Sequence, residues 1–144
     1  MVEVLVALVV LAIGLLGIAG LLLKSLQSGR TATYRTQAIN LAGDLADRIR
    51  MNRTATVGYG SSFDDVEVEV PACDTTGGCT GAELAATDLS RWKSTLALLL
   101  PNGQGQVVVT PPLGAGEPDN YVITVRWTEA GEAAPVTFQL GFQT

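Results

Sequence analysis

The sequence predicts an α+β fold in which one long N-terminal helix leans on a small antiparallel sheet and a second, short helix completes the head. Three observations carry this. Residues 4–23 are uncharged and mostly apolar, and they run without proline into an amphipathic stretch. A capping-box pattern opens a second apolar-periodic segment at Thr80, and beyond Gly105 the apolar period changes to two. The chain has 144 residues. With residues 1–53 given to the long helix, there is room for one small head over residues 54–144.

As a helix rising ~1.5 Å per residue, residues 4–23 would cover about the ~30 Å of a bilayer's hydrocarbon core. No basic region precedes this run and no small-residue cleavage site follows it before Lys24, so it reads as retained rather than as a removable secretory signal. Gly14, Gly17, Ala19 and Gly20 concentrate small residues within it. Such residues permit close helix approach and also weaken the helix, by up to ~1 kcal/mol per glycine. Glu3 is the one charged side chain ahead of Lys24. An acid in the first turn interacts well with the positive end of the helix dipole, and that alone would account for it. The second reading starts from the expense of a carboxylate at the edge of hydrocarbon, which a neighbouring chain's terminal ammonium could neutralise.

The segment EVLVALVVLAIGLLGIAG, residues 3–20, resembles the N-terminal helix of type IV pilins, most closely that of the PilV group of minor pilins. In that family a prepilin peptidase cuts after a glycine, the new first residue is usually an N-methylated Phe, and a Glu follows at the fifth mature position. The resemblance implies that Glu3 is that glutamate and that a leader and the first mature residues stand ahead of Met1. It favours the ion-pair reading of Glu3, with an N-terminal ammonium of a neighbouring subunit as partner.

The net charge of −5 conceals an asymmetry. Residues 24–53 carry Lys24, Arg30, Arg35, Arg48, Arg50 and Arg53 against Asp44 and Asp47, whereas residues 54–144 hold eleven acids and only Arg91, Lys93 and Arg126. An acidic head is a poor binder of phosphate backbones, so no nucleic-acid partner is expected. The basic stretch after the apolar run would by itself favour a cytoplasmic position. The two cysteines and the resemblance, whose missing leader is typically basic, point instead to a periplasmic head.

From Lys24 to Arg53, Tyr34, Ala38, Leu41, Leu45 and Ile49 recur at spacings of three and four, while Arg30, Asp44, Asp47 and Arg48 fall off that stripe. One continuous helix over about 2–53 follows, with Gly29 as the place where two helices would otherwise divide. Residues 54–81 have the composition of a loop. Within it, residues 65–70 alternate and suit a short strand with Val66, Val68 and Val70 inward and Glu67 and Glu69 in water. Two acids without further ligands make a poor cation site, and no metal is expected.

Cys73 and Cys79 bracket Asp-Thr-Thr-Gly-Gly, which can turn tightly enough to join them. In an oxidising compartment the default is a disulfide, and closing the 73–79 loop would contribute about 2.4 kcal/mol in the chain-entropy model. A zinc site needs four ligands, and this chain has no His and no other Cys.

Thr80 and Glu83 form the capping box that should start the second helix. Ala85, Leu89, Trp92, Leu96 and Leu99 then share a face before Pro101-Asn-Gly stops it. Trp92 reads as core. Residues 79–101, CTGAELAATDLSRWKSTLALLLP, extend the resemblance to PilV-group pilins beyond the N-terminus.

Residues 106–110 form a short apolar strand. In the next two, Tyr121, Ile123, Val125 and Trp127 point inward, followed by Val136, Phe138, Leu140 and Phe142. PPLGAGEPDN joins the first pair of strands, and a Glu-Ala-Gly-Glu turn with Pro135 joins the second.

With no His and both Cys expected to pair, the common nucleophile and base arrangements are missing. Asp64, Asp65 or Asp88 could act as acid or base, yet no motif sets two of them at a working separation. No glycine-rich phosphate loop is present either. The expectation is a non-enzyme without cofactor.

The resemblance implies a minor pilin that waits in the inner membrane as a single-pass protein with a periplasmic head and then enters an extracellular type IV pilus. Its implied partners are other minor pilins, the major pilin and a tip adhesin. A minor pseudopilin of type II secretion and a membrane-anchored binding domain that never polymerises are the two alternatives.

Overall fold

The computed structural model describes residues 1–112, 114 and 116–144. Leu113 and Ala115, which belong to the Pro- and Gly-rich connection expected over 111–120, lie outside the described residues. The elements run α1 (Val2–Met51), two short 3-10 helices (Arg53–Tyr59 and Pro71–Asp74), α2 (Gly81–Leu99), β1 (Gln104–Thr110), β2 (Asn120–Trp127) and β3 (Val136–Gln143). The chain divides into two compact units, Met1–Thr33 and Tyr34–Thr144, and α1 contributes to both.

Gly29 does not break α1, which is a single helix to Met51. Among the described residues of the first unit, the large apolar side chains from Val2 to Leu26 are all exposed. The second unit holds the core. Ala38, Ala42, Leu45, Ala46 and Ile49 are buried along one stripe of α1, with Tyr34 and Leu41 packed at its margin. Three of these are alanines, whose small side chains let α2 approach the α1 backbone. Trp92 uses that closeness: its ring is buried and its Nε1 donates to the Leu41 carbonyl at 3.0 Å.

α2 begins as the capping box requires. The Glu83 backbone N–H donates to Thr80 Oγ1 at 3.3 Å, and the Thr80 N–H donates to Glu83 Oε2 at 2.8 Å. Replacing Thr80 by Ala is expected to remove about 1 kcal/mol of stability, read as a lower urea midpoint with an unchanged slope. The inward face of α2 carries Ala85, Leu89, Trp92 and Leu96. The last position differs from the expectation. Leu99 is exposed and Leu100 is buried, because the chain leaves the helix at Leu100 in an extended conformation and turns that side chain inward.

The sheet has the order β1-β2-β3, with both pairings antiparallel. Its inward row includes Val107, Tyr121, Ile123, Val125 and Trp127, flanked by the half-buried Val136, Phe138, Leu140 and Phe142. β1 starts two residues before the expected strand. It includes Gly105, where a Cβ would overlap the Trp92 ring. Glycine is what lets the strand press on α2 there.

The segment 65–70 overturns its expectation. It is not a strand, and Val66 and Val68 are exposed at 90% and 71%. Alternation needs a neighbouring strand to make it matter, and α2 supplies charges instead. Glu67 Oε1 accepts from Ser61 Oγ at 2.8 Å and lies 3.9 Å from Lys93 Nζ, while Glu69 pairs with Arg91 at 3.3 Å and the Val70 N–H donates to Thr87 Oγ1 at 3.0 Å. The acids that were expected in water therefore tie the segment down, Val66 and Val68 face out, and Val70 is half-buried.

Candidate assembly site

Glu3 stands in the first turn of α1, followed by an exposed apolar helical surface that continues to Leu26. This helix is long and apolar enough, by length and composition, to cross a membrane. Among the described residues, Glu3 has no hydrogen-bond or ion-pair partner within its own chain. Gly14, Gly17 and Gly20 have nothing within 4 Å of where a Cβ would sit, so another helix has open access to them. Lys24 and Arg30 follow the apolar surface and are likewise exposed.

In the second unit, Cys73 and Cys79 are joined in a disulfide with their Cα atoms 4.8 Å apart. Arg91 holds the same loop by an ion pair to Asp74 at 2.6 Å. Thr87 Oγ1 donates to the Glu83 carbonyl at 3.0 Å and lies 3.6 Å from Cys73 Sγ, so α2 backs the loop at its first cysteine.

A polar cluster that the sequence did not signal joins α1 to α2. Asp88 is buried, accepts from Arg48 Nη1 at 3.0 Å and accepts from the Tyr59 hydroxyl at 2.9 Å. Asn52 Nδ2 donates to the Tyr59 oxygen at 3.2 Å and to the Gly81 carbonyl at 2.8 Å. Arg48 also donates to Asp44 at 3.0 Å, so it bridges two carboxylates rather than standing free off the apolar stripe. Burial opposes its charge, but the hydrogen bond to Asp88 and the charges of Asp44 and Asp88 hold the guanidinium above its ordinary pKa. Asp88 thus spends its acceptors on packing contacts.

Burial raises the Tyr59 pKa well above the ordinary 10.0. The Asn52 contact works against this, and the hydrogen bond to Asp88 adds to it. Above the ordinary value, the unfolded chain gives up this proton while the folded chain keeps it, so stability falls as pH rises. Between about pH 9 and about pH 11 the urea midpoint should drop, and Tyr59→Phe should flatten that dependence.

Asp65 accepts from the Ser62 N–H at 2.7 Å, which lowers its pKa, and Asp64 is exposed. Among the described residues, no group of three or more potential metal ligands forms.

A family model described as Tt1218-like, type IV pilin Tt1218, matches residues 20–90, just under half of the chain. The matched stretch begins near the end of the apolar run and reaches into α2, so it is separate from the Glu3 region that carries the N-terminal resemblance. Over that stretch the chain is similar to type IV pilins. The α+β architecture, with its long N-terminal helix, is pilin-like. Neither the curated proteins nor the solved structures gave a match.

Proposed function

We propose that the chain is a minor pilin of the PilV kind, held in the inner membrane with its head in the periplasm and then incorporated into a type IV pilus at the tip or in the shaft. The observation that carries this is an uninterrupted, exposed apolar helix headed by a single acid, on a chain whose next residues match a type IV pilin family. An apolar helix of that length is stable in lipid and equally stable among like helices. Moving from one to the other costs little apolar solvation. Glu3 pairs with the N-terminal ammonium of a neighbouring subunit when the helices bundle, which fixes their axial register.

In this reading residues 1–53 form the assembly helix, with 1–23 in the membrane or filament core, and residues 54–144 form the head. The disulfide between Cys73 and Cys79 stabilises that head outside the cytoplasm. The partners are the major pilin, other minor pilins and a tip adhesin. The role is structural, without catalysis.

Quantitative mass spectrometry of sheared, purified pili tests this. The chain should be enriched in the pilus fraction over the membrane fraction. Recovery only with a type II secretion apparatus, or only with membranes, would overturn it in favour of a pseudopilin or an anchored binding domain respectively.

A further inference from the structure

We infer that Lys24 and Arg30 bind the phosphates of anionic phospholipids where α1 leaves the membrane, and that this contact fixes the depth of the helix. The inference rests on the membrane-held helix of the proposed function and names the lipid that this segment takes. Residues 4–23 are uncharged and cover about the ~30 Å of a bilayer's hydrocarbon, so the headgroup layer begins at Lys24. That layer is roughly 5–7 Å deep on each side. Lys24 stands at its inner edge, and Arg30 lies ~9 Å further along the same helix. In an α-helix each Cα–Cβ bond tilts toward the N-terminus, so both side chains set out back toward the bilayer. Their long apolar stems then let the charged ends settle among the phosphates.

Both cations are open to such a contact. They are exposed, and among the described residues neither has a hydrogen-bond or ion-pair partner. The cations that follow on α1 are already engaged: Arg35 lies 3.6 Å from Glu129, Arg48 pairs with Asp44 and Arg50 pairs with Asp47. Within Met1–Thr33 the one acid is Glu3. It stands ~31 Å from Lys24 along the helix, against a screening length of ~8 Å at physiological salt. No acid of this unit therefore offsets the positive charge at Lys24 and Arg30.

The surroundings of the two cations suit a lipid surface. Ser25, Gln27 and Ser28 are exposed and add neutral donors beside the charges. Leu26, 66% exposed, lies between the two cations in sequence, where the first acyl carbons below the headgroups can cover it. The lipid is anionic because a zwitterionic headgroup neutralises its phosphate with its own amine. One Lys or Arg near an anionic surface gives a preference of roughly fivefold.

The test uses the full chain in phosphatidylcholine vesicles that carry a trace of spin-labelled phosphatidylglycerol or spin-labelled phosphatidylcholine. The motionally restricted fraction of each label gives its association with the helix. At low salt phosphatidylglycerol should associate roughly fivefold more strongly, and the preference should shrink in molar salt. Lys24→Gln combined with Arg30→Gln should bring it to unity with the urea midpoint of the head unchanged. Arg53→Gln, which removes a cation beyond the end of α1, should leave the preference as it was. Inorganic phosphate added at constant ionic strength should not displace the lipid. A vesicle-inserted chain without the preference would overturn this inference alone, as would a preference retained without Lys24 and Arg30, an equal loss in Arg53→Gln, or displacement by inorganic phosphate. A chain that fails to float with vesicles of either lipid would overturn the membrane reading together with it.

Discussion

On the proposed function, Glu3→Ala is expected to deplete the chain from assembled pili while leaving its head folded. The carboxylate heads an apolar helix and has no partner within its own chain among the described residues, so its removal disturbs nothing in the Tyr34–Thr144 unit. In the proposed bundle its loss would leave a neighbour's ammonium without a counter-charge in a surrounding of low dielectric. An ion pair worth at least ~1.4 kcal/mol there corresponds to roughly a tenfold drop in filament-borne chain relative to membrane-borne chain. Immunoblotting of sheared pili against membranes measures this ratio. The urea midpoint of the head, taken in detergent, should be the same as in the unsubstituted chain. Incorporation at the normal level would show that the dipole interaction in the first turn is all that Glu3 provides.

Trp92→Ala is expected to remove about 3–5 kcal/mol from the stability of the head. The ring is buried between α1 and β1. It donates to the Leu41 carbonyl and fills the space that Gly105 leaves. Truncation opens a cavity in the layer that joins helix, helix and sheet, and removes a hydrogen bond as well. Domains of this size are stable by only about 5–15 kcal/mol, so a large share of the total is at stake. Equilibrium urea unfolding should show the midpoint falling by that share. Trp92→Phe should recover part of the loss, because it restores ring volume without the Nε1 donor.

The sequence was most legible where a pattern and its burial have the same cause. The stripe from Ala38 to Ile49 and the alternation in β3 reflect one face turned to the core, the Thr80–Glu83 box marks a helix start, and β2 keeps its inward row while burying Thr124 as well. It was misleading at 65–70, where period two would have needed a strand alongside. Lys93 and Arg91 on α2 captured Glu67 and Glu69 instead, and no local pattern encodes a contact across that separation. Leu99 and Leu100 changed roles for a smaller reason, since a helix phase cannot be extrapolated through the residue that ends the helix. The cluster of Asp88, Arg48, Tyr59 and Asn52 escaped notice because each residue type is ordinary on a surface. Their convergence depends on where α1 ends and how the following turn brings Tyr59 back toward α2. Glu3 was legible for the opposite reason: a lone charge in an apolar run stands out in one dimension.

The distribution of rings in this chain has a practical side. No Phe, Tyr or Trp precedes Tyr34, while both tryptophans, Trp92 and Trp127, are buried in the head. Intrinsic emission therefore reports melting of the head alone, and residues 1–33 are optically silent. Spectra taken in micelles, in vesicles or in assembled fibres can be compared directly, because a change of surroundings around residues 1–33 adds no fluorophore of its own.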